Sequence, residues 1–135
     1  MIRTFFIKLY DMKKVIATEN APKAVGPYSQ AIEVNGTLYI SGQIPVNPAD
    51  GQVQTEITAA AHQSLKNIGA ILAEAGMTYD NVVKTTVLLA DIADFKAVNE
   101  VYAEYFTGDK PARACYQAAA LPLGVKVEIE AIAVK

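Results

Sequence analysis

Arg113 and Cys115 stand two residues apart in Pro111-Ala112-Arg113-Ala114-Cys115-Tyr116, a segment that otherwise reads as a buried strand. Side chains alternate faces along a strand, so the guanidinium and the thiol point the same way. An unpaired buried guanidinium is costly. Arg113 therefore either pairs with a carboxylate of the protein or takes one from a ligand. Two acids are candidate partners. In the last apolar stretch, Lys126, Glu128 and Glu130 share one face and Val125, Val127, Ile129 and Ala131 share the other. If that stretch neighbours the Arg113 strand, either glutamate is placed to pair with it. A solvated strand face is the plainer reading for Glu130.

The other reactive side chains carry less. Cys115 has no base near it in sequence and reads as a small buried hydrophobe rather than a nucleophile. His62, the single histidine, falls beside the apolar stripe of a helix and reads as a solvated position. One His and one Cys do not make a zinc site, so no metal is expected. No glycine pattern sits in the strand-to-helix context of a phosphate or dinucleotide loop. Tyr28 follows Gly26-Pro27 as a packing residue whose hydroxyl is able to reach a polar ligand. Asn99 reads as a polar edge position on a helix.

These residues must be held by a small set of elements. Val15-Ile16-Ala17 is a short edge strand, and the prolines and glycine of 21–27 make a loop. Asn35-Gly36 between apolar runs predicts a two-residue hairpin joining Tyr28–Val34 to Thr37–Ser41, because both turn positions need positive φ. Gly42 ends the returning strand where a backbone needs close access. Ile57, Ala61, Leu65, Ile68 and Leu72 form one stripe of a first helix, with Thr55 as its cap and Gly76 as its stop. Val82–Leu89 is a β-branched strand. A second helix carries Phe95, Val98 and Tyr102 and starts near Asp91 and Asp94. Strands at Ala112–Ala118 and Val125–Val134 close the chain. Two helices on one face of a single mixed sheet make an α+β domain. Val87, Leu89, Val127 and Ile129 are expected on the opposite face, covered by further copies of the chain.

Composition narrows the class. The chain has 135 residues, 52% hydrophobic, enough for one cored domain. Its net charge is −2 and no basic run exists to follow a phosphate backbone, so no nucleic-acid partner is expected. No apolar run approaches the ~20 residues that span a bilayer, so no membrane partner is expected either. A single cysteine fits a reducing, cytoplasmic setting. Residues 1–11 read as an N-terminal extension, and 12–135 as the domain.

Several separated segments together resemble the RidA family, also called YjgF, from about Lys13 to Lys135. They are Ala17-Thr18-Glu19-Asn20-Ala21-Pro22, Gly26-Pro27-Tyr28-Ser29-Gln30, Ser41-Gly42-Gln43-Ile44-Pro45, Val83-Lys84-Thr85-Thr86-Val87, Pro111–Cys115 and Val127–Ala133. Residues 1–11 have no counterpart. The resemblance implies a chorismate-mutase-like fold and a homotrimer with clefts between subunits. It implies hydrolysis of 2-enamine/2-imine intermediates to 2-keto acids and ammonia, without a cofactor, on a small 2-imino acid substrate. Arg113 and Glu128 are then the catalytic pair, the first for the substrate carboxylate and the second for water. Gly42 and Cys115 are implied to offer backbone groups, Tyr28 to line the opposite wall, and Ser41 and Asn99 to be secondary contacts. A binding or regulatory module for small carboxylates, or a chaperone-like protein using the same cleft, is the alternative.

Overall fold

The computed structural model describes residues 13–135, so the extension expected at 1–11 lies outside the described residues. Six strands form one sheet: β1 (Lys14–Ile16), β2 (Ala31–Val34), β3 (Thr37–Gln43), β4 (Val82–Leu89), β5 (Ala112–Gln117) and β6 (Val127–Val134). Two α-helices complete the fold, α1 (Ile57–Glu74) and α2 (Phe95–Tyr105). The hairpin between β2 and β3 turns at Asn35 and Gly36, with φ of 49° and 84°, as the Asn-Gly pair requires.

Strand order is β1-β2-β3-β6-β4-β5, with β4 and β5 parallel and every other pair antiparallel. Helix α2 makes the crossover between the parallel strands, a connection too long for a hairpin. The last strand in sequence is thus central in space. It separates the β2–β3 hairpin from β4, and β4 in turn separates it from β5. The expectation that the Glu128 strand neighbours Arg113 is therefore corrected: β5 pairs with β4 alone.

Both helices lie on one face. Leu65, Ile68 and Leu72 of α1 and Val98 and Val101 of α2 bury against Leu38, Ile40, Val87, Leu89, Val127 and Ile129. This corrects a second expectation, that the last four cover the opposite face. Strand alternation separates two sets of side chains without saying which set meets the helices. The more apolar set does, since burying it removes more apolar surface from water. The open face holds Ile32, Tyr39, Ser41, Lys84, Thr86, Glu130 and Ile132, shaped into a concavity of about 530 Å³.

Helix α1 is capped by Glu56 rather than Thr55. The Glu56 carboxylate accepts from Thr58 N at 2.8 Å and Ala59 N at 3.1 Å, and these bonds hold it below the usual carboxylate range. A full negative charge suits the positive helix end better than a hydroxyl does.

Candidate active site

Arg113 lies on the edge strand β5 with its side chain toward α2. Its guanidinium sits 4.8 Å from the Tyr102 ring centroid and 5.5 Å from that of Phe95. Its Nη1 donates to Asn99 Oδ1 at 2.8 Å. Phe95, Asn99 and Tyr102 follow one another at helical spacing, so a single stripe of α2 makes all three contacts. The Tyr102 hydroxyl shares a 2.6 Å hydrogen bond with Thr85 Oγ1, and Thr85 is the residue of β4 opposite Arg113. Among the described residues, no carboxylate oxygen lies within 4.0 Å of the guanidinium.

Cys115 shares this face, half-buried, as alternation predicts. Burial pushes its thiol up, against the opposing pull of the Arg113 charge. A thiol so placed is protonated at neutral pH and a poor nucleophile.

Glu128 occupies the other face of the sheet, opposite Leu88 of β4. Its carboxylate rests on the backbone of β3 at Gly42, in the bulge between Ile40 and Gln43. Any Cβ on Gly42 would lie 2.9 Å from Glu128 Cδ. Burial pushes the Glu128 carboxyl up, and the like charge of Glu130 adds to this. Gly42 also lines a cleft of about 370 Å³ with Lys23, Val25, Tyr28, Gln43 and Leu123. Tyr28 is half-exposed there, its hydroxyl accepting from Val25 N at 3.4 Å. Ser41 Oγ donates to Ser29 O at 2.6 Å and so ties β3 to the segment carrying Tyr28.

The residues singled out in sequence thus form two groups. Asn99, Arg113 and Cys115 come together under α2, while Tyr28, Ser41, Gly42 and Glu128 come together around β3. Arg113 and Glu128 face opposite sides of the sheet with β4 between their strands. Among the described residues, one chain therefore presents a cation without an anion and, elsewhere, a carboxylate without a cation.

The match of the sequence to the family model described as Endoribonuclease L-PSP covers residues 18–135. The chain is 58% identical to a mouse 2-iminobutanoate/2-iminopropanoate deaminase, over 92% of this chain and 93% of that protein. It is 50% identical to the Escherichia coli K12 protein of the same name, over 92% and 99% of the two chains. The chain belongs to the RidA/YjgF family. Among solved structures, E. coli TdcF with bound serine superposes on this RidA-family chain with a TM-score of 0.89 at 43% identity, covering 91% of this chain and 99% of that one.

Other features of this RidA domain escape the sequence reading. Gln30 is buried and holds the loop before Tyr28, donating to Thr18 O at 3.0 Å and Pro22 O at 2.8 Å and accepting from Thr18 N at 2.7 Å. Asn67 of α1 donates to Ile44 O and Val46 O, fixing the loop after Gly42. Both are amides facing backbone that no sheet satisfies, and a polar residue inside an apolar stripe is the signal that finds them. Leu123 lines the Tyr28 cleft at a φ of 57°, a left-handed conformation uncommon for leucine. His62 is not simply solvated: its Nδ1 is 2.7 Å from the Tyr105 hydroxyl, linking α1 to α2. No helix among the described residues is long and apolar enough to cross a membrane.

Proposed function

We propose that this protein hydrolyses 2-iminobutanoate and 2-iminopropanoate to the 2-keto acids and ammonia, in clefts formed between copies of a homotrimer. The observation that carries the reading is the separation of Arg113 from Glu128. Each is half-buried and lacks a counter-charge in its own chain among the described residues. A neighbouring copy that brings the β3 group of one chain to the α2 group of another completes both. The names of the mouse and E. coli relatives support the reaction. Serine bound to TdcF supports a small ligand bearing an α-carboxylate.

In this reading Arg113 binds the substrate carboxylate. Asn99 takes one N–H of the guanidinium, and the rest of the planar fork is free for bidentate contact. Lysine lacks that geometry. The protonated imine carbon is already electrophilic, so the reaction needs no cofactor. Glu128 takes a proton from water as the water oxygen bonds to the imine carbon and the C=N π pair moves to nitrogen. The proton then passes to the amine, the hydroxyl proton moves to Glu128 as the C–N bond breaks, and ammonia leaves as the carbonyl forms. Backbone groups of Gly42 and Cys115 fix the substrate and Tyr28 lines the facing wall. Ser41 holds Tyr28's segment, and Asn99 acts through Arg113. The single cysteine and the reaction's metabolic substrates support a cytoplasmic setting.

Keto-acid or ammonia release from imine generated in place tests it. Wild type should exceed buffer and Arg113→Ala should not; wild-type release at the buffer rate sinks the proposal. A second measurement separates enzyme from binder. Glu128→Ala should still bind 2-ketobutyrate while losing about 10²–10⁴ in rate. Undiminished turnover removes Glu128 from the mechanism. Binding without turnover in wild type would favour the small-carboxylate sensor. A ribonuclease, the activity in the family description, has little electrostatic support at a net charge of −2.

A further inference from the structure

Tyr102 is buried and already packs against the core through its neighbours Val98, Val101 and Phe106. Packing alone would be met by phenylalanine or leucine. Two contacts go beyond it. The ring face is turned to the guanidinium at 4.8 Å, and the hydroxyl is fixed at 2.6 Å from Thr85, which is wholly buried in β4. Thr85 and Arg113 are opposite one another across the parallel pair β4–β5, so their side chains emerge side by side. The tyrosine spans both: its hydroxyl is anchored on the buried Thr85 of β4 and its ring covers the arginine on the edge strand β5. An edge strand offers little other restraint to a long, flexible side chain.

We infer that Tyr102 is a positioning residue for Arg113, holding the guanidinium plane against its ring so that the free N–H edge faces a planar carboxylate. A cation is attracted to the ring face without using a donor, which leaves the hydrogen-bonding edge open. Asn99 sets the rotation of that plane within the face. Phe95, exposed at the end of the same helical stripe, covers the guanidinium less closely, at 5.5 Å. This role rests on the reading of Arg113 as the carboxylate-binding residue.

The test reads the arginine directly. The chain has two arginines, Arg3 and Arg113, so the guanidinium ¹H–¹⁵N signals are assigned with one Arg113→Lys control. Wild type should show resolved Arg113 Nη signals, because slow rotation reports a held plane. Tyr102→Met combined with Thr85→Val keeps volume and leaves no orphaned hydroxyl. It should average those signals and weaken 2-ketobutyrate binding roughly tenfold. A merely structural role would lower thermal stability and leave both readouts unchanged below the transition, which overturns the inference. Averaged signals in wild type overturn it too, and that arm does not depend on the double variant folding. Imine turnover at the buffer rate would sink the proposed reaction, yet the guanidinium signals of the free protein would still decide the role of Tyr102.

Discussion

The Glu128 carboxylate fills the space in which a side chain at Gly42 would begin. A methyl group there would lie 2.9 Å from Glu128 Cδ and overlap its Oε2. Strand β3 therefore forms the floor on which the acid of β6 rests, and the bulge at Gly42 brings that floor close.

Gly42→Ala should accordingly displace Glu128 while leaving the sheet paired. A shift of about 1 Å in a catalytic group costs roughly 10²-fold in rate, and a loss of that order in kcat/KM is expected, with an unchanged circular dichroism spectrum. Wild-type kcat/KM in this variant would show that the contact does not set the position of the acid.

Burial and the Glu130 charge both push the Glu128 carboxyl up. In the proposed mechanism Glu128 is a general base, which works only when ionised, so activity should fall on acidification at a pH above the ordinary carboxylate range of about 4.3. Glu130→Gln removes the like charge, and the acid limb of the rate profile should move to lower pH. A limb that stays in place contradicts this account.

The same shift has a sign for stability. A carboxyl raised in the folded state favours folding when protonated, and that contribution is lost as pH rises through its folded value. Glu128→Gln should thus melt higher than wild type at neutral pH, and the difference should close below about pH 4. A lower melting temperature at neutral pH would rule out an unrelieved charge at this position.

The raised thiol of Cys115 sets its reactivity. Alkylation by iodoacetamide should be slower than that of a free thiol at neutral pH and should climb only above the usual thiol range of about 8.5. Fast alkylation at pH 7 would return the sulfur to consideration as a nucleophile.

Gly69, inside α1, offers a case in which two effects compete. Replacing a mid-helix glycine by alanine ordinarily gains about 1 kcal/mol. Here the added methyl would lie 2.7 Å from Tyr79 Cζ and overlap the hydroxyl. Tyr79 donates from that hydroxyl to Leu65 O at 2.6 Å and meets the ring edges of Tyr105 and Phe106. Overpacking costs about 1–3 kcal/mol, so Gly69→Ala should lower stability in urea denaturation despite its helix propensity.

Local signals carried much of the fold. The Asn35-Gly36 turn, the stripe of α1 and the limits of β4 were legible because each depends on neighbours in the chain. The shared direction of Arg113 and Cys115 followed from strand alternation, and so did the split of Glu128 from Ile129. Sheet order was not legible. Nothing near Val127–Val134 says that it inserts between β3 and β4, because that choice is made by packing between distant segments. For the same reason alternation does not say which side of the sheet Val87 and Ile129 face, or that β4 lies between the Glu128 strand and Arg113. The cradle of Phe95, Asn99 and Tyr102 is visible as a helical stripe only once the crossover places it over Arg113.

The insertion of β6 has a consequence for inheritance. In the proposed assembly, a cleft draws its guanidinium from one gene product and its carboxylate from another. An allele that loses Arg113 and an allele that loses Glu128 are each inactive alone. Expressed together, they form mixed assemblies in which some clefts take both working halves, so two recessive lesions in one gene restore each other.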